Sequence, residues 1–227
     1  MTRALLLGVL CFAPAALAWP VEKVIELEPG KEQFLRIGQL EWFEVDDPKV
    51  VTAEQLESGD ELLLTPNKPG RALLMTYAEG KPLVWALHVG KTADAKAAQA
   101  AVAAALKACP KLEHHPEAYE KLVGAVPDLK CRHALLEALK TDQFEAKMTA
   151  LTFEAAVLVE QLKEIRAAFA AAKSPLEAHY EGATLVLQGK AEPAAYRRAL
   201  WEAFRHSACR VALDDQVEKV EVPDAGR

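Results

Sequence analysis

Residues 61–77 read Glu-Leu-Leu-Leu-Thr-Pro-Asn-Lys-Pro-Gly-Arg-Ala-Leu-Leu-Met-Thr-Tyr, which is two apolar runs on either side of a turn rich in proline. Both runs, 61–65 and 72–77, have the length of β-strands, and the Pro and Gly residues between them supply the dihedral angles of a chain reversal. Similar runs lie on both sides of this stretch, with turn residues about every 8–12 positions. They are residues 24–27, 33–37, 42–45 and 83–89. The pattern predicts that residues 19–90 form an all-β sandwich.

After Gly90 the sequence changes from strand-like to helix-like patterns. Residues 93–108 are rich in alanine, the strongest helix former, and Pro110 ends that segment. Residues 117–126 and 131–140 are predicted as two further short helices. We therefore expect residues 91–150 to form a helical segment between two domains.

The last third of the chain predicts a smaller α+β module. Strands are expected at 176–180, 184–188 and 217–222, with a helix at 193–206 before the last of them. A long helix should come first, because six apolar residues spaced three and four apart form one continuous face. They are Leu151, Ala155, Leu158, Leu162, Ile165 and Phe169. The chain is thus predicted to be an α+β protein in which residues 151–222 form a two-layer αββαβ module and residues 223–227 a tail.

The first 18 residues are typical of a secretory signal. Arg3 precedes an uncharged and mostly apolar run over residues 4–16, and Ala16-Leu17-Ala18 gives the small-x-small pattern of a cleavage site between Ala18 and Trp19. This run is shorter than the roughly 20 apolar residues that cross a bilayer, and no later stretch reaches that length. We expect an exported protein, periplasmic or associated with the outer membrane, without a transmembrane span after cleavage; an uncut anchor is the alternative.

Three cysteines follow the expected cleavage site: Cys109, Cys131 and Cys209. Export permits disulfides, and an odd number leaves one thiol over. Cys109 ends the alanine-rich helix and Cys131 begins a helix after Pro127, so the proline-broken chain between them has to double back. We predict a Cys109–Cys131 disulfide with Cys209 reduced and buried. The alternatives are the Cys109–Cys209 and Cys131–Cys209 pairings, or three free thiols.

The charge balance disfavours two classes of partner. The chain has 27 Lys and Arg residues against 33 Asp and Glu residues, a net charge of −6, and it has no block of basic residues. Nucleic acid and anionic lipid are therefore poor candidates.

The histidines are the first residues to consider for chemistry. His114 and His115 lie near two glutamates, but adjacent side chains point in different directions, which favours a solvated turn over a metal site. His133 follows Cys131 and suggests a Cys/His pair for nucleophilic catalysis, although no nucleophile loop accompanies it.

Paired carboxylates and tryptophans also have ordinary explanations. Asp46-Asp47 and Asp214-Asp215 are interpreted as turn residues rather than acid–base pairs. Trp42, Trp85 and Trp201 are expected in or near the core, with an exposed Trp42-Phe43 strand face as the alternative. The sequence contains no phosphate-binding loop and no dinucleotide fingerprint. We therefore predict no catalytic, cofactor-binding or metal-binding residue.

Three elements in residues 21–90 carry a family resemblance: a Pro-Gly turn, a Val-x-Asp-Pro-x-Val-like segment, and a Leu-rich strand followed by a second Pro-Gly turn. They are Pro29-Gly30-Lys31, Val45-Asp46-Asp47-Pro48-Lys49-Val50, and Leu62-Leu63-Leu64-Thr65 with Pro69-Gly70-Arg71-Ala72-Leu73-Leu74. In these elements the region resembles the N-terminal domain of pilus-formation proteins and pilus-type secretins, over about a third of the chain.

A second resemblance rests on residues 183–191, Ala-Thr-Leu-Val-Leu-Gln-Gly-Lys-Ala, a strand that ends in glycine before a helix. Together with the strand at 217–222, this pattern makes residues 151–222 similar to a BON-type domain, a small module of periplasmic and outer-membrane-associated proteins and of some pilus secretins. The Gly-Val-x-x-Val of that family is replaced by Ser207-Ala208-Cys209-Arg210-Val211.

The two resemblances imply a non-enzymatic accessory component of a pilus assembly or secretion system that acts by protein docking, with a secretin among the expected partners. Added partner strands would pair with exposed strand edges. The alternatives are an exported cell-envelope module that binds peptidoglycan or lipid, and an exported hydrolase. The oligomeric state is left open.

Overall fold

The computed structural model describes residues 21–90, 95–116, 121–140, 144, 149–207 and 213–220. Its N-terminal part contains only strands and turns. The strands are β1 (Val21–Leu27), β2 (Gln33–Arg36), β3 (Leu40–Val45), β4 (Val51–Gln55), β5 (Glu61–Pro66), β6 (Gly70–Ala78) and β7 (Lys81–Val89). They form two sheets, one in the order β1-β7-β6-β3 and the other in the order β2-β5-β4. All neighbours pair antiparallel except β1 and β7, which are parallel. The predicted α+β class with a β-rich N-terminal region is confirmed.

The two central strands of the four-stranded sheet, β6 and β7, are largely buried on both faces. Leu74 and Leu87 face the three-stranded sheet and form a core with Leu62 and Leu64. The alternate residues, including Met75 and Val84, belong to a second core shared with helices later in the chain. Strands buried on both faces lack the alternation of apolar and polar residues, which explains the nearly continuous apolar runs of β6 and β7.

Residues 95–153 form a compact αββαβ unit, hereafter the first unit. Its elements are α1 (Ala95–Ala108), β8 (Leu112–His115), β9 (Lys121–Val126), α2 (Leu129–Leu139) and β10 (Thr149–Phe153). The sheet order is β10-β9-β8, with β9 antiparallel to β8 and parallel to β10.

The prediction of a helical segment at 91–150 was therefore wrong in one essential element. Residues 121–126, which were expected within a helix at 117–126, form the central strand β9 of a sheet. Leu122 and Val126 are buried there against the helices of the unit. The backbone partners of β9 come from 112–115 and 149–153. Val123, Gly124 and Val126 are poor helix formers, a local signal that the helix prediction overlooked.

Residues 155–219 form the second unit, with α3 (Ala155–Ala171), β11 (Glu177–Glu181), β12 (Thr184–Ala191), α4 (Pro193–His206) and β13 (Leu213–Lys219). Its sheet order is β11-β12-β13. The predicted order of elements is correct, but two boundaries differ. Residues 151–153 belong to β10 of the first unit, and the last strand is 213–219 rather than 217–222.

The two units have the same topology and a related sequence. In each unit the first two strands are antiparallel and the second is parallel to the third. The segment Arg132-His133-Ala134-Leu135-Leu136-Glu137-Ala138 of α2 corresponds to Arg197-Arg198-Ala199-Leu200-Trp201-Glu202-Ala203 of α4, 65 positions later (197 minus 132). Gly124 and Gly189, also 65 apart (189 minus 124), have φ values of 143° and 122°. We infer that the part of the chain that the structure describes is a β-sandwich followed by a duplicated αββαβ unit.

Within the described residues, no helix is long and apolar enough to cross a membrane.

Candidate functional site

An open groove of about 610 Å³ runs along one side of the sandwich between β1 and β2, hereafter the β1–β2 groove. Each of these strands is an edge of its own sheet, so each has a strand neighbour on one side only. Phe34 lines the groove and is 62% exposed, the most exposed large apolar side chain among the described residues. Charged residues of both signs, including Glu26 and Arg36, surround it. An edge with these properties can receive an added strand.

A second cavity of about 300 Å³ lies where the sandwich meets both αββαβ units, hereafter the junction pocket. Its apolar lining comes from all three parts of the chain: Leu73 of β6, Leu136 and Leu139 of α2, and Phe204 of α4. Its polar lining is mainly cationic, from Arg71, Lys140 and Arg205. Arg71 Nη1 also donates a hydrogen bond to the Lys140 carbonyl oxygen at 3.3 Å, which attaches the sandwich to the C-terminal end of α2.

Asp46 is the carboxylate that lines the junction pocket among the described residues. Its Oδ1 accepts a hydrogen bond from the Leu73 backbone N–H at 2.7 Å. Although Asp46 reaches solvent, desolvation by the surrounding protein raises its pKa above the usual range, against the opposing effects of this hydrogen bond and of Arg205. Asp47 has a separate role: its Oδ1 accepts from the Lys49 N–H at 3.0 Å, as the predicted turn requires.

The two αββαβ units are joined through Arg132 of α2, whose side chain is completely buried. Its Nη1 and Nη2 donate to the two oxygens of Glu164 in α3 at 2.8 and 2.7 Å, and Nη2 also donates to the His206 carbonyl oxygen at 2.7 Å. Its Nε donates to Gln161 Oε1 at 3.2 Å. Partial burial of Glu164 raises the pKa of its carboxyl group. The hydrogen bonds and the charge of Arg132, with a smaller contribution from His133, lower it by more, so the pKa lies below its usual value.

A different cluster joins the second unit to the sandwich. The hydroxyls of Tyr77 in β6 and Tyr196 in α4 both donate to Asp215 Oδ2 in β13, the first at 2.7 Å. Burial, together with the nearby Asp215 carboxylate, raises the pKa of Tyr77 to about 12 and that of Tyr196 well above its usual value. Lys219 Nζ lies 4.1 Å from the centre of the Tyr77 ring. Both tyrosines therefore act as neutral hydrogen-bond donors that hold two parts of the chain together.

The equivalent arginines of the two units serve equivalent purposes. Arg132 links the first unit to the second, and Arg197, 65 positions later, lies with its guanidinium carbon 5.1 Å from the centre of the Trp42 ring of the sandwich. Trp42 is also stacked on Tyr77, with 5.6 Å between ring centres. Trp42 is thus occupied by contacts within the chain, and the alternative of an exposed Trp42-Phe43 binding face does not apply.

Cys109 and Cys131 form the predicted disulfide, with their Cα atoms 4.8 Å apart. Both residues are completely buried between α1 and α2. Cys209, the expected reduced cysteine, and the cleavage site at Ala18 and Trp19 lie outside the described residues.

His114 and His115 do not share a site, whereas the rings of His133 and His206 both lie beside Glu164, at 3.4 and 3.7 Å. His115 Nε2 lies 3.2 Å from Glu113 Oε2 on the surface, while the His114 ring meets Phe144 edge to face at 5.9 Å. His133 faces Glu164, and Cys131 is oxidised in the disulfide, so the two cannot act as a thiol/imidazole pair. No group of three His, Cys, Asp or Glu residues within the described ranges is arranged to hold a metal ion.

The remaining candidates are structural. Asp214 and Asp215 lie in strand β13 rather than in a turn, so the turn prediction was wrong for this pair: the strand pairs with β12, which the local Asp-Asp sequence does not reveal. Trp201 is buried in the core, and Trp85 Nε1 donates to Thr76 Oγ1 at 3.1 Å.

Sequence reasoning missed Arg132, Glu164, Phe34 and the cations of the junction pocket. One signal was present for the first of these. The repeated pattern Arg-x-Ala-Leu-x-Glu-Ala in α2 and α4 indicates a duplicated helix whose arginine recurs at one structural position. Nothing in the local sequence marks the others, because their neighbours come from distant parts of the chain.

No protein-family model matches the chain, and no curated protein matches it significantly.

Proposed function

We propose that this chain is an exported, non-enzymatic docking protein of a pilus assembly or secretion apparatus, and that it binds an extended segment of a partner protein in the β1–β2 groove. The observation that carries the proposal is the pair of edge strands with Phe34 exposed between them. In strand addition, backbone hydrogen bonds to an edge supply affinity and contacts with alternate side chains supply specificity. Phe34 would provide the apolar contact, and the charged residues around it would select a partner segment that carries both signs of charge.

The resemblance to pilus-formation domains supports the assignment to a pilus or secretion apparatus. The sequence elements that carry this resemblance have physical roles in the sandwich. A Cβ atom on Gly70 would lie 3.0 Å from Val50 Cγ2, so the Pro69-Gly70 turn and the Asp-Pro-x-Val segment pack directly on each other. Asp46, from the same segment, accepts the Leu73 N–H. The residues that carry the resemblance are therefore ones on which the fold depends.

Two further features support an exported protein of the cell envelope. The Cys109–Cys131 disulfide is of a kind that persists in oxidising compartments outside the cytosol. The αββαβ order of the unit that resembles a BON-type domain occurs twice, in both the first and the second unit. We infer that the two units in tandem form a scaffold that presents the sandwich to partner proteins.

A genetic complementation experiment tests this function. In the cells that encode the protein, deletion of its gene should abolish surface pili, counted by electron microscopy, or secretion of the apparatus substrate, measured in the medium. The wild-type gene and a Val159→Glu variant should restore the lost activity, whereas Phe34→Glu should not. Val159 is the matched control, because it is 53% exposed on α3, does not line the groove and receives the same change of charge.

Immunoblots of cell extracts should show all three proteins at equal levels, because both substitutions are at exposed positions. Normal piliation and secretion in the deletion strain would refute the assignment to this apparatus. Restoration by Phe34→Glu as complete as by the wild type would refute the groove as the docking site.

A further inference from the structure

We propose that the junction pocket is a binding site for a small organic anion with an apolar body, of the class of a medium-chain fatty carboxylate. This site is distinct from the β1–β2 groove and does not depend on the docking function.

The size and the lining of the pocket suit such a ligand. Its volume of about 300 Å³ lies at the lower end of the range for small-molecule sites, which are commonly found where domains meet. Leu73, Leu136, Leu139 and Phe204 give the cavity an apolar interior. An alkyl chain placed there would remove apolar surface from water on both sides of the contact.

The charges at the pocket favour an anionic head group. Three cations, Arg71, Lys140 and Arg205, and one carboxylate, Asp46, line the pocket among the described residues. Glu137 pairs with Lys140 from outside the lining, so Arg71 and Arg205 are the cations that an anionic head group would meet first. Arginine presents several N–H donors in a planar arrangement that matches the two oxygens of a carboxylate. Arg205 also donates to Glu202 at 2.9 Å and lies over the Trp201 ring, so its side chain is held beside the pocket.

Titration calorimetry on the full chain, with decanoate, decanol and inorganic phosphate as probes, tests this inference. Decanoate should bind with one site per chain. Decanol, which lacks the charge, should bind at least about tenfold more weakly, since a charge-assisted hydrogen bond contributes on that scale. Phosphate alone should not bind measurably. Decanol binding as tight as decanoate binding, phosphate binding as tight as decanoate binding, or no binding of decanoate would each overturn the proposal.

Variants show whether the anion occupies this pocket. Arg205→Gln should weaken decanoate binding about tenfold, whereas Arg198→Gln should not, because Arg198 is exposed on the same helix but does not line the pocket. Leu136→Trp should fill the cavity and abolish binding. Asp46→Asn should strengthen binding, because it removes the repelling carboxylate and keeps an oxygen that accepts the Leu73 N–H.

The Asp46→Asn result is decisive, because damage to the fold would not increase affinity. No gain in affinity for Asp46→Asn, or equal losses for Arg198→Gln and Arg205→Gln, would overturn the proposal. Phe34→Glu should bind decanoate as the wild type does, which separates this site from the docking groove. Competition by decanoate against phosphatidylglycerol vesicles would identify a lipid as the source of the anion, and decanoate binding without vesicle binding would identify a free carboxylate.

Discussion

At the scale of single residues, the buried Arg132 decides how the two αββαβ units are joined. A buried guanidinium is stable only when charged and polar partners replace the water it has lost. Here two carboxylate oxygens, an amide oxygen and a backbone carbonyl surround it. Because these partners come from α3 and the end of α4, the ion pair ties the first unit to the second in one orientation.

Removing the carboxylate should therefore be costly. Glu164→Gln leaves Arg132 buried without its counter-charge, and loss of one partner of a fully buried pair costs about 3–5 kcal/mol. Glu164 keeps 36% of its side chain exposed, so we expect a smaller loss in the free energy of unfolding, about 2–3 kcal/mol, measured by urea denaturation. Glu160→Gln is the control on the same helix, since its partner Lys163 is on the surface. Equal losses in the two variants would refute the special role of the buried pair.

The pKa of Glu164 also sets a pH dependence. Because its pKa is lower in the folded protein than the ordinary 4.5, its contribution to stability is complete above that pH and is lost as the pH falls through the folded-state pKa. The stability difference between wild type and Glu164→Gln should shrink as the pH falls below 4.5, where the Glu164 carboxylate becomes protonated. Denaturation curves of both proteins at each pH would measure it. A difference that keeps growing as the pH falls below 4.5 would contradict the assignment.

At the scale of elements, the two glycine positions show how closely the strands of each unit approach. A Cβ atom on Gly124 would lie 2.1 Å from the Lys111 carbonyl oxygen, while one on Gly189 would lie 3.3 Å from the Pro175 carbonyl oxygen. Both residues also have positive φ values that L side chains rarely adopt. Both glycines thus adopt a positive φ, but there is less space for a Cβ atom at Gly124 than at Gly189.

This difference gives a matched pair of substitutions. Both Gly124→Ala and Gly189→Ala should destabilise the protein by more than about 1 kcal/mol, because alanine is strained at these φ values. Gly124→Ala should cost clearly more, since backbone atoms of the neighbouring strand would have to move. Thermal unfolding of the two variants would compare their stabilities directly. A larger loss of stability for Gly189→Ala would contradict the close approach of Lys111 to Gly124.

How far the sequence predicts these elements depends on how local their causes are. The helix at 193–206 is predicted with its observed bounds, because Pro193 begins it and its apolar face is regular. Strand β4 was missed because Val51 is the only buried residue in its sequence Val-Thr-Ala-Glu-Gln, which gives little apolar signal. Strand β9 was taken for helix, and one of its two partners, β10, lies more than 20 residues further along the chain. The disulfide was predicted because its two cysteines flank one proline-broken hairpin. The junction pocket was not predictable, since Asp46, Leu136 and Phe204 meet only after all three parts have folded.

At the scale of the whole molecule, the four-stranded sheet is the central layer. One of its faces packs against the three-stranded sheet, and the other belongs to a core that it shares with α3, α4 and the sheet of the second unit. The sandwich therefore has a complete core between its own sheets but also a second apolar face that only the rest of the chain covers. The sandwich is therefore a separate domain by its strand topology, but one of its faces is apolar and is covered by other parts of the chain.

A fragment of residues 21–90 tests both properties. It should give a β-type circular dichroism spectrum, because the core between its two sheets is complete. It should also self-associate, because Val21, Met75, Tyr77, Val84 and Ala86 would be exposed together. Sedimentation analysis should show oligomers, and Met75→Thr with Val84→Thr should reduce them. A helical or disordered spectrum would refute the sandwich, and a monomeric wild-type fragment would show that the second face needs no cover.

The Cys109–Cys131 bond has a consequence for how the protein responds when it is pulled. Any load carried along the chain passes from the end of α1 to the start of α2 through two sulfur atoms, so the residues between them bear no tension. The disulfide closes a loop with a sequence separation of 22 residues. At about 3.4 Å per extended residue, roughly 75 Å of contour length cannot be extended while the bond is intact. In a stretched filament or a strained envelope, the first unit would open in shorter steps than its duplicate, and a reductant would release the hidden length at once.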